Sequence, residues 1–105
     1  MANKNEKLKG NDRPRQTRDI VLINRYGMHV RPAGLFAKIA ARYDDEVEVE
    51  FNNAVVNAKS IMSLMSLEAD SGAKLKVTAW GEKAGEVLDE LEALVQRKFD
   101  IPDEQ

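Results

Sequence analysis

The only histidine of the chain, His29, stands in Gly27-Met28-His29-Val30-Arg31-Pro32-Ala33, two residues before an arginine and with an apolar helical pattern behind it. Imidazole is the side chain whose ordinary pKa lies nearest neutral pH, so it can serve as a nucleophile without a strong base beside it. Backbone N–H groups at the start of a helix lack intrahelical partners and carry the positive end of the helix dipole, so a phosphate on the ring would find donors already waiting. Arg31 adds a guanidinium that can give two parallel hydrogen bonds to phosphate oxygens. The chemistry this pattern suits is reversible capture of a phosphoryl group on a ring nitrogen. The bland alternative for a lone histidine is a helix cap or an ordinary exposed ring.

A second stretch, Lys59-Ser60-Ile61-Met62-Ser63-Leu64-Met65-Ser66-Leu67, places a serine immediately before a short apolar run. Ser60 reads as the N-cap of a helix, a role worth about 1 kcal/mol. Phosphate at such a position is electrostatically tolerated, so a regulatory role is compatible with capping. The run behind it is apolar over more than one face. Leu64 and Leu67 are expected in the core, whereas Ile61, Met62 and Met65 are candidates for a docking patch, because thioethers adapt to different partner surfaces. Val30 and Gly34, on the helix that follows His29, are candidates for the same patch; Gly34 would leave room for a partner's close approach.

The elements that must position these residues follow from periodicity. Asp19-Ile20-Val21-Leu22-Ile23 predicts a first strand, closed by the loop Asn24-Arg25-Tyr26-Gly27. From His29 to Arg42 the apolar residues recur at helical spacing, with Pro32 tolerated in the first turn. Glu46 to Phe51 alternates strictly, putting Val47, Val49 and Phe51 on one face and three glutamates on the other. Asn52-Asn53 can reverse the chain at positive φ into a partner strand, Ala54 to Ala58. After the short helix, Lys74 to Gly81 alternates as a last strand, and Val87, Leu88, Leu91, Leu94, Val95 and Phe99 mark a final amphipathic helix. Trp80 is expected on the face opposite Leu75 and Val77, as a surface aromatic on the uncovered side of the sheet, with a contact for the leader as the alternative. The order β-α-β-β-α-β-α predicts an α+β fold, with helices covering one face of a four-stranded, mostly antiparallel sheet.

With 105 residues, 43% hydrophobic and 32% charged, the chain has room for one core. The absence of cysteine excludes disulfides and thiolate nucleophiles, and a single histidine argues against a zinc cluster. No metal and no bound cofactor are expected. No apolar run approaches the length of a membrane span, so membrane insertion is not expected and a cytoplasmic location is. Residues 1–18 hold six Lys or Arg against two acids, whereas the whole chain has a net charge of −2. That segment is expected to be a basic, disordered leader, with residues 19–99 as the domain and 100–105 as a short polar tail. A monomer without a nucleic-acid partner is expected.

The two motifs, in this order and at this separation, closely resemble HPr, the histidine-containing phosphocarrier family of the bacterial phosphoenolpyruvate-dependent sugar phosphotransferase system. The likeness runs from about Asp19 to about Phe99, with Val30 standing where many relatives carry alanine or threonine. It implies an open-faced β-sandwich and a phosphoryl group carried on Nδ1 of His29, with Arg31 as the phosphate partner. The implied partners are the first enzyme of the phosphotransferase system and its sugar-specific second-component acceptor proteins. In some members the serine matching Ser60 is modified by a dedicated kinase and phosphorylase, which slows the relay. The resemblance thus implies a phosphoryl-transfer relay with a phosphohistidine intermediate rather than an autonomous enzyme. Two other functions remain open on the sequence. One is a regulatory protein that docks a transcription regulator through phosphorylated Ser60; the other is a paralogue serving nitrogen or developmental control. A hydrolase would need a second base, nucleophile or metal cluster beside the histidine.

Overall fold

A computed structural model of the protein describes residues 13–104. Four strands, β1 (Arg15–Val21), β2 (Glu46–Phe51), β3 (Ala54–Asn57) and β4 (Lys74–Trp80), form one sheet in the order β1-β4-β2-β3, every pair antiparallel. Three helices, α1 (Val30–Ala41), α2 (Ile61–Ser66) and α3 (Ala84–Gln96), complete the element order β-α-β-β-α-β-α.

Alternation in the strands sets the two faces of the sheet. Ile20, Val47, Val49, Leu75, Val77 and Ala79 are buried and join Phe36, Ala40, Leu64, Leu88 and Leu91 from the helices in one core. The intervening residues face the uncovered side, where the Thr17 and Thr78 hydroxyls lie 3.0 Å apart across the β1–β4 pair. Asn52 and Asn53 turn the β2–β3 hairpin with φ of 55° and 68°, the left-handed pair that asparagine tolerates better than most residues.

Four features depart from the sequence reading. The first strand starts at Arg15, so Arg15 to Arg18 of the segment read as leader are strand. Only Ile20 of β1 is buried, and the strand is held at the sheet edge by its ladder to β4 and by Arg18, which pairs with Asp89 and Glu92 of α3. Its polar side chains therefore gave no hydrophobic alternation to read. Residues 1–12 of the leader lie outside the described residues.

The second departure is Trp80, which does lie opposite Leu75 and Val77 but is only 9% exposed, against the surface reading and in keeping with the alternative of a leader contact. The chain entering β1 runs past it: the Gly81 N–H donates to the Pro14 carbonyl at 2.8 Å, and Arg13 and Pro14 share a cleft with Trp80.

Third, the last helix ends at Gln96, and Phe99 reaches the core from a left-handed turn in which Lys98, Phe99 and Asp100 have φ of 53°, 60° and 57°. Such a conformation costs about 1–2 kcal/mol per residue. Burying Phe99 and Ile101 returns about 1.5–3 kcal/mol each. The turn is thus offset by the two side chains it folds inward. The fourth departure is in that same segment: the stretch read as a polar tail contains Ile101, which is buried.

Candidate functional site

The loop ahead of α1 is fixed by three contacts. Asn24 is fully buried, and its side-chain N–H donates to the Gly27 carbonyl at 2.8 Å. Gly27 has φ of +69°, and a Cβ there would lie 2.4 Å from the Ala69 carbonyl oxygen and 2.7 Å from the Asp70 Cα. The Met28 N–H donates to that same Ala69 oxygen at 2.9 Å, with the Met28 side chain buried. The chain just before His29 is therefore pinned to the segment that follows α2.

His29 is the N-cap of α1, in extended backbone (φ −87°, ψ −169°), and its carbonyl accepts the Ala33 N–H at 2.9 Å. The imidazole makes no capping hydrogen bond, so the bland capping role does not hold. It is half-buried and meets the Tyr26 ring edge to face, with centroids 5.8 Å apart and planes at 85°. Pro32 is the third residue of the helix and has no N–H, so the unpaired donors of the first turn are those of Val30 and Arg31. Arg31 is exposed on that turn and has no ion pair among the described residues. An imidazole ring, two backbone donors and an arginine are thus placed at one helix end. That set can accept and stabilise an anion of phosphate size. Among the described residues, no three His, Cys, Asp or Glu side chains are grouped to share a metal ion.

Ser60 is the N-cap of α2, and its Oγ accepts the Ser63 N–H at 3.2 Å, as its position in the sequence implies. Leu64 and Leu67 are buried as expected, whereas Ile61, Met62 and Met65 are exposed, Met62 to 82%. Val30 is 57% exposed. Val30 and Gly34 share one face of α1, and a Cβ on Gly34 would lie 4.0 Å from Ile61 Cδ1. The apolar surfaces of the two helices therefore adjoin, and α1 packs on α2.

Nothing crowds Gly34, and its backbone is helical, so Gly34→Ala should stabilise the protein by about 0.5–1 kcal/mol through lower unfolded-state entropy. Thermal melting checks this. If phosphoryl transfer falls while the melting temperature rises, glycine is kept there for a partner's approach.

Around the half-buried His29, Val30, Arg31, Ile61, Met62 and Met65 are exposed. A cleft of about 700 Å³ lies at the other end of α1, around Arg42, Tyr43, Trp80 and Lys83. A helix of twelve residues separates it from His29 by about 18 Å. At that far end the Tyr43 hydroxyl donates to Glu90 and Glu86 of α3; its bond to Glu90 and its burial raise its pKa. Two contributors at the His29 end were missed by sequence reasoning. Asn24 gave no signal beyond its place in a turn, and Tyr26 none that distinguished it from other loop aromatics.

The family model for the PTS HPr component phosphorylation site matches residues 16–97. The chain is 37% identical over 79 residues to phosphocarrier protein HPr of Treponema pallidum (strain Nichols), covering 75% of this chain and 90% of that one. Among solved structures, HPr-C-His from Thermoanaerobacter tengcongensis superposes with a TM-score of 0.79 at 37% identity, covering 82% of this chain and 97% of the other. The solution structure of Crh, described as the Bacillus subtilis catabolite repression HPr, gives 0.62 at 39% identity, covering 78% and 95%.

Proposed function

Because the chain belongs to the HPr family of phosphotransferase-system phosphocarriers, we propose that it takes a phosphoryl group onto His29 from the system's first enzyme and passes it to sugar-specific acceptor proteins. The observation that carries this is the half-buried imidazole at the N-cap of α1, two residues before exposed Arg31. In the step proposed, a ring nitrogen of His29, Nδ1 by likeness to the family, attacks the phosphorus of the donor phosphohistidine. A new N–P bond forms as the old one breaks, and the electron pair returns to the donor imidazole, so the reaction needs no oxidant and runs in either direction. The charge on the transferred group is met by the Val30 and Arg31 N–H groups and by the Arg31 guanidinium. Val30, Gly34, Ile61, Met62 and Met65 form the surface on which partners dock. Among the described residues no helix is long and apolar enough to cross a membrane. By likeness to the family, we place the relay in the cytoplasm. The test is to incubate the protein with phosphoenolpyruvate and the first enzyme, then add an acceptor protein. One acid-labile phosphate per chain should appear and then move on; a phosphate that loads but cannot be passed to any acceptor removes the relay.

Ser60 is the proposed regulatory position. A phosphate there would place about two negative charges at the rim of the Ile61, Met62 and Met65 surface while keeping an oxygen for the Ser63 N–H. Aspartate is a good N-cap, so Ser60→Asp should fold as wild type yet raise the Michaelis constant for the first enzyme about tenfold, as a charge is desolvated on docking. Ser60→Ala should lose about 1 kcal/mol of stability and leave transfer intact. Calorimetry and transfer kinetics decide: if Ser60→Asp transfers like wild type and a serine kinase leaves the wild-type protein unmodified, Ser60 is reduced to a cap. A mainly regulatory protein acting through Ser60 is the second reading, favoured by the likeness to a catabolite repression HPr. Efficient loading of His29 argues against it.

A further inference from the structure

We infer that Tyr26 is a positioning residue for the His29 imidazole, fixing the plane of the reacting ring. The inference rests on His29 being the phosphoryl acceptor. In-line displacement requires the attacking nitrogen to face phosphorus within a narrow range of orientations, and misalignment is costly even when distance is right. The extended N-cap backbone fixes where the His29 side chain starts, but not the rotation of its ring. Tyr26 supplies a constraint on that rotation, because its ring stands at 85° to the imidazole with centroids 5.8 Å apart, within the geometry of a favourable edge-to-face pair.

Tyr26 is itself held on two sides. The Arg25 guanidinium carbon lies 5.2 Å from the centre of the Tyr26 ring, a cation–π arrangement. The buried bond from Asn24 to the Gly27 carbonyl closes the loop that carries both residues. A large aromatic that is 54% exposed on a surface loop has little to offer the core. Its contact with the reacting ring gives it a use, and the structure joins Asn24, Arg25, Tyr26 and Gly27 into one support for His29.

The experiment measures single-turnover transfer from the phosphorylated first enzyme at saturating concentration, so that docking and orientation separate. Tyr26→Ala should lower the saturated rate about threefold to tenfold and leave the half-saturating concentration near wild type. Tyr26→Phe keeps the ring and should restore the wild-type rate. In NMR spectra of the unphosphorylated protein, the His29 ring C–H signals should be displaced by the Tyr26 ring current, keep that displacement in Tyr26→Phe and lose it in Tyr26→Ala. A Tyr26→Ala rate equal to wild type overturns the inference, as does a Tyr26→Phe protein as slow as Tyr26→Ala or a change confined to the half-saturating concentration. His29→Ala runs alongside. If it fails to load while Tyr26→Ala transfers normally, only the role of Tyr26 falls; if His29→Ala loads, the acceptor assignment and the role of Tyr26 fall together.

Discussion

Gly27→Ala is expected to destabilise the protein by about 3 kcal/mol or more and to disorder the approach to His29. Two costs combine. The φ of +69° penalises any Cβ by about 1–2 kcal/mol. The added carbon would also sit 2.4 Å from the Ala69 carbonyl oxygen, a backbone atom that cannot move aside as a flexible side chain would. Relief would require loop and partner segment to separate, breaking the bond from the Met28 N–H to Ala69 and unseating buried Met28. Denaturant unfolding should show a lower midpoint with an unchanged slope, and phosphate loading should slow even where the protein remains folded. Gly34→Ala makes the same chemical change on α1 and should shift stability in the opposite direction. A Gly27→Ala unfolding free energy within about 0.5 kcal/mol of wild type would show that the loop is not pinned as described.

Arg31→Ala should leave the fold intact and slow phosphoryl transfer about a hundredfold. The residue is exposed and has no ion pair among the described residues, so no structural partner is orphaned by its removal. What the variant removes is the two-pronged donor proposed for the transferred group, and losing one preorganised donor costs about two to three orders of magnitude in enzyme sites built for developing negative charge. Arg31→Lys should recover only part of the rate, because an ammonium restores charge without the planar fork. Stopped-flow or rapid-quench transfer rates measure both variants. Rates equal to wild type for Arg31→Ala would take Arg31 out of the mechanism.

How much of this was legible in the sequence depends on whether the signal was local. The β2 alternation from Val47 to Phe51, the Asn52-Asn53 reversal and the Ser60 cap are local patterns, and the structure has them where the residues put them. The register of β1 was not legible because its order comes from backbone pairing to a strand nearly sixty residues away, while its own side chains are mostly polar. Phe99 was readable as core but not as lying beyond the helix end, since a left-handed turn at Lys98 to Asp100 leaves no glycine to betray it. At the site, His29 and Arg31 stand out by type and spacing. The constraint on Gly27 does not, because it comes from Ala69 and Asp70, which only the fold brings near. Tyr26 gained meaning only when its ring was seen against the imidazole.

The most direct measurement is the location of the phosphate after incubation with phosphoenolpyruvate and the first enzyme. We expect one phosphoryl group per chain, lost in acid and stable in base, mapping to His29 by mass spectrometry and absent from a folded His29→Ala protein. Phosphate that still loads onto His29→Ala, or that survives acid as a serine ester does, would contradict a relay through this histidine.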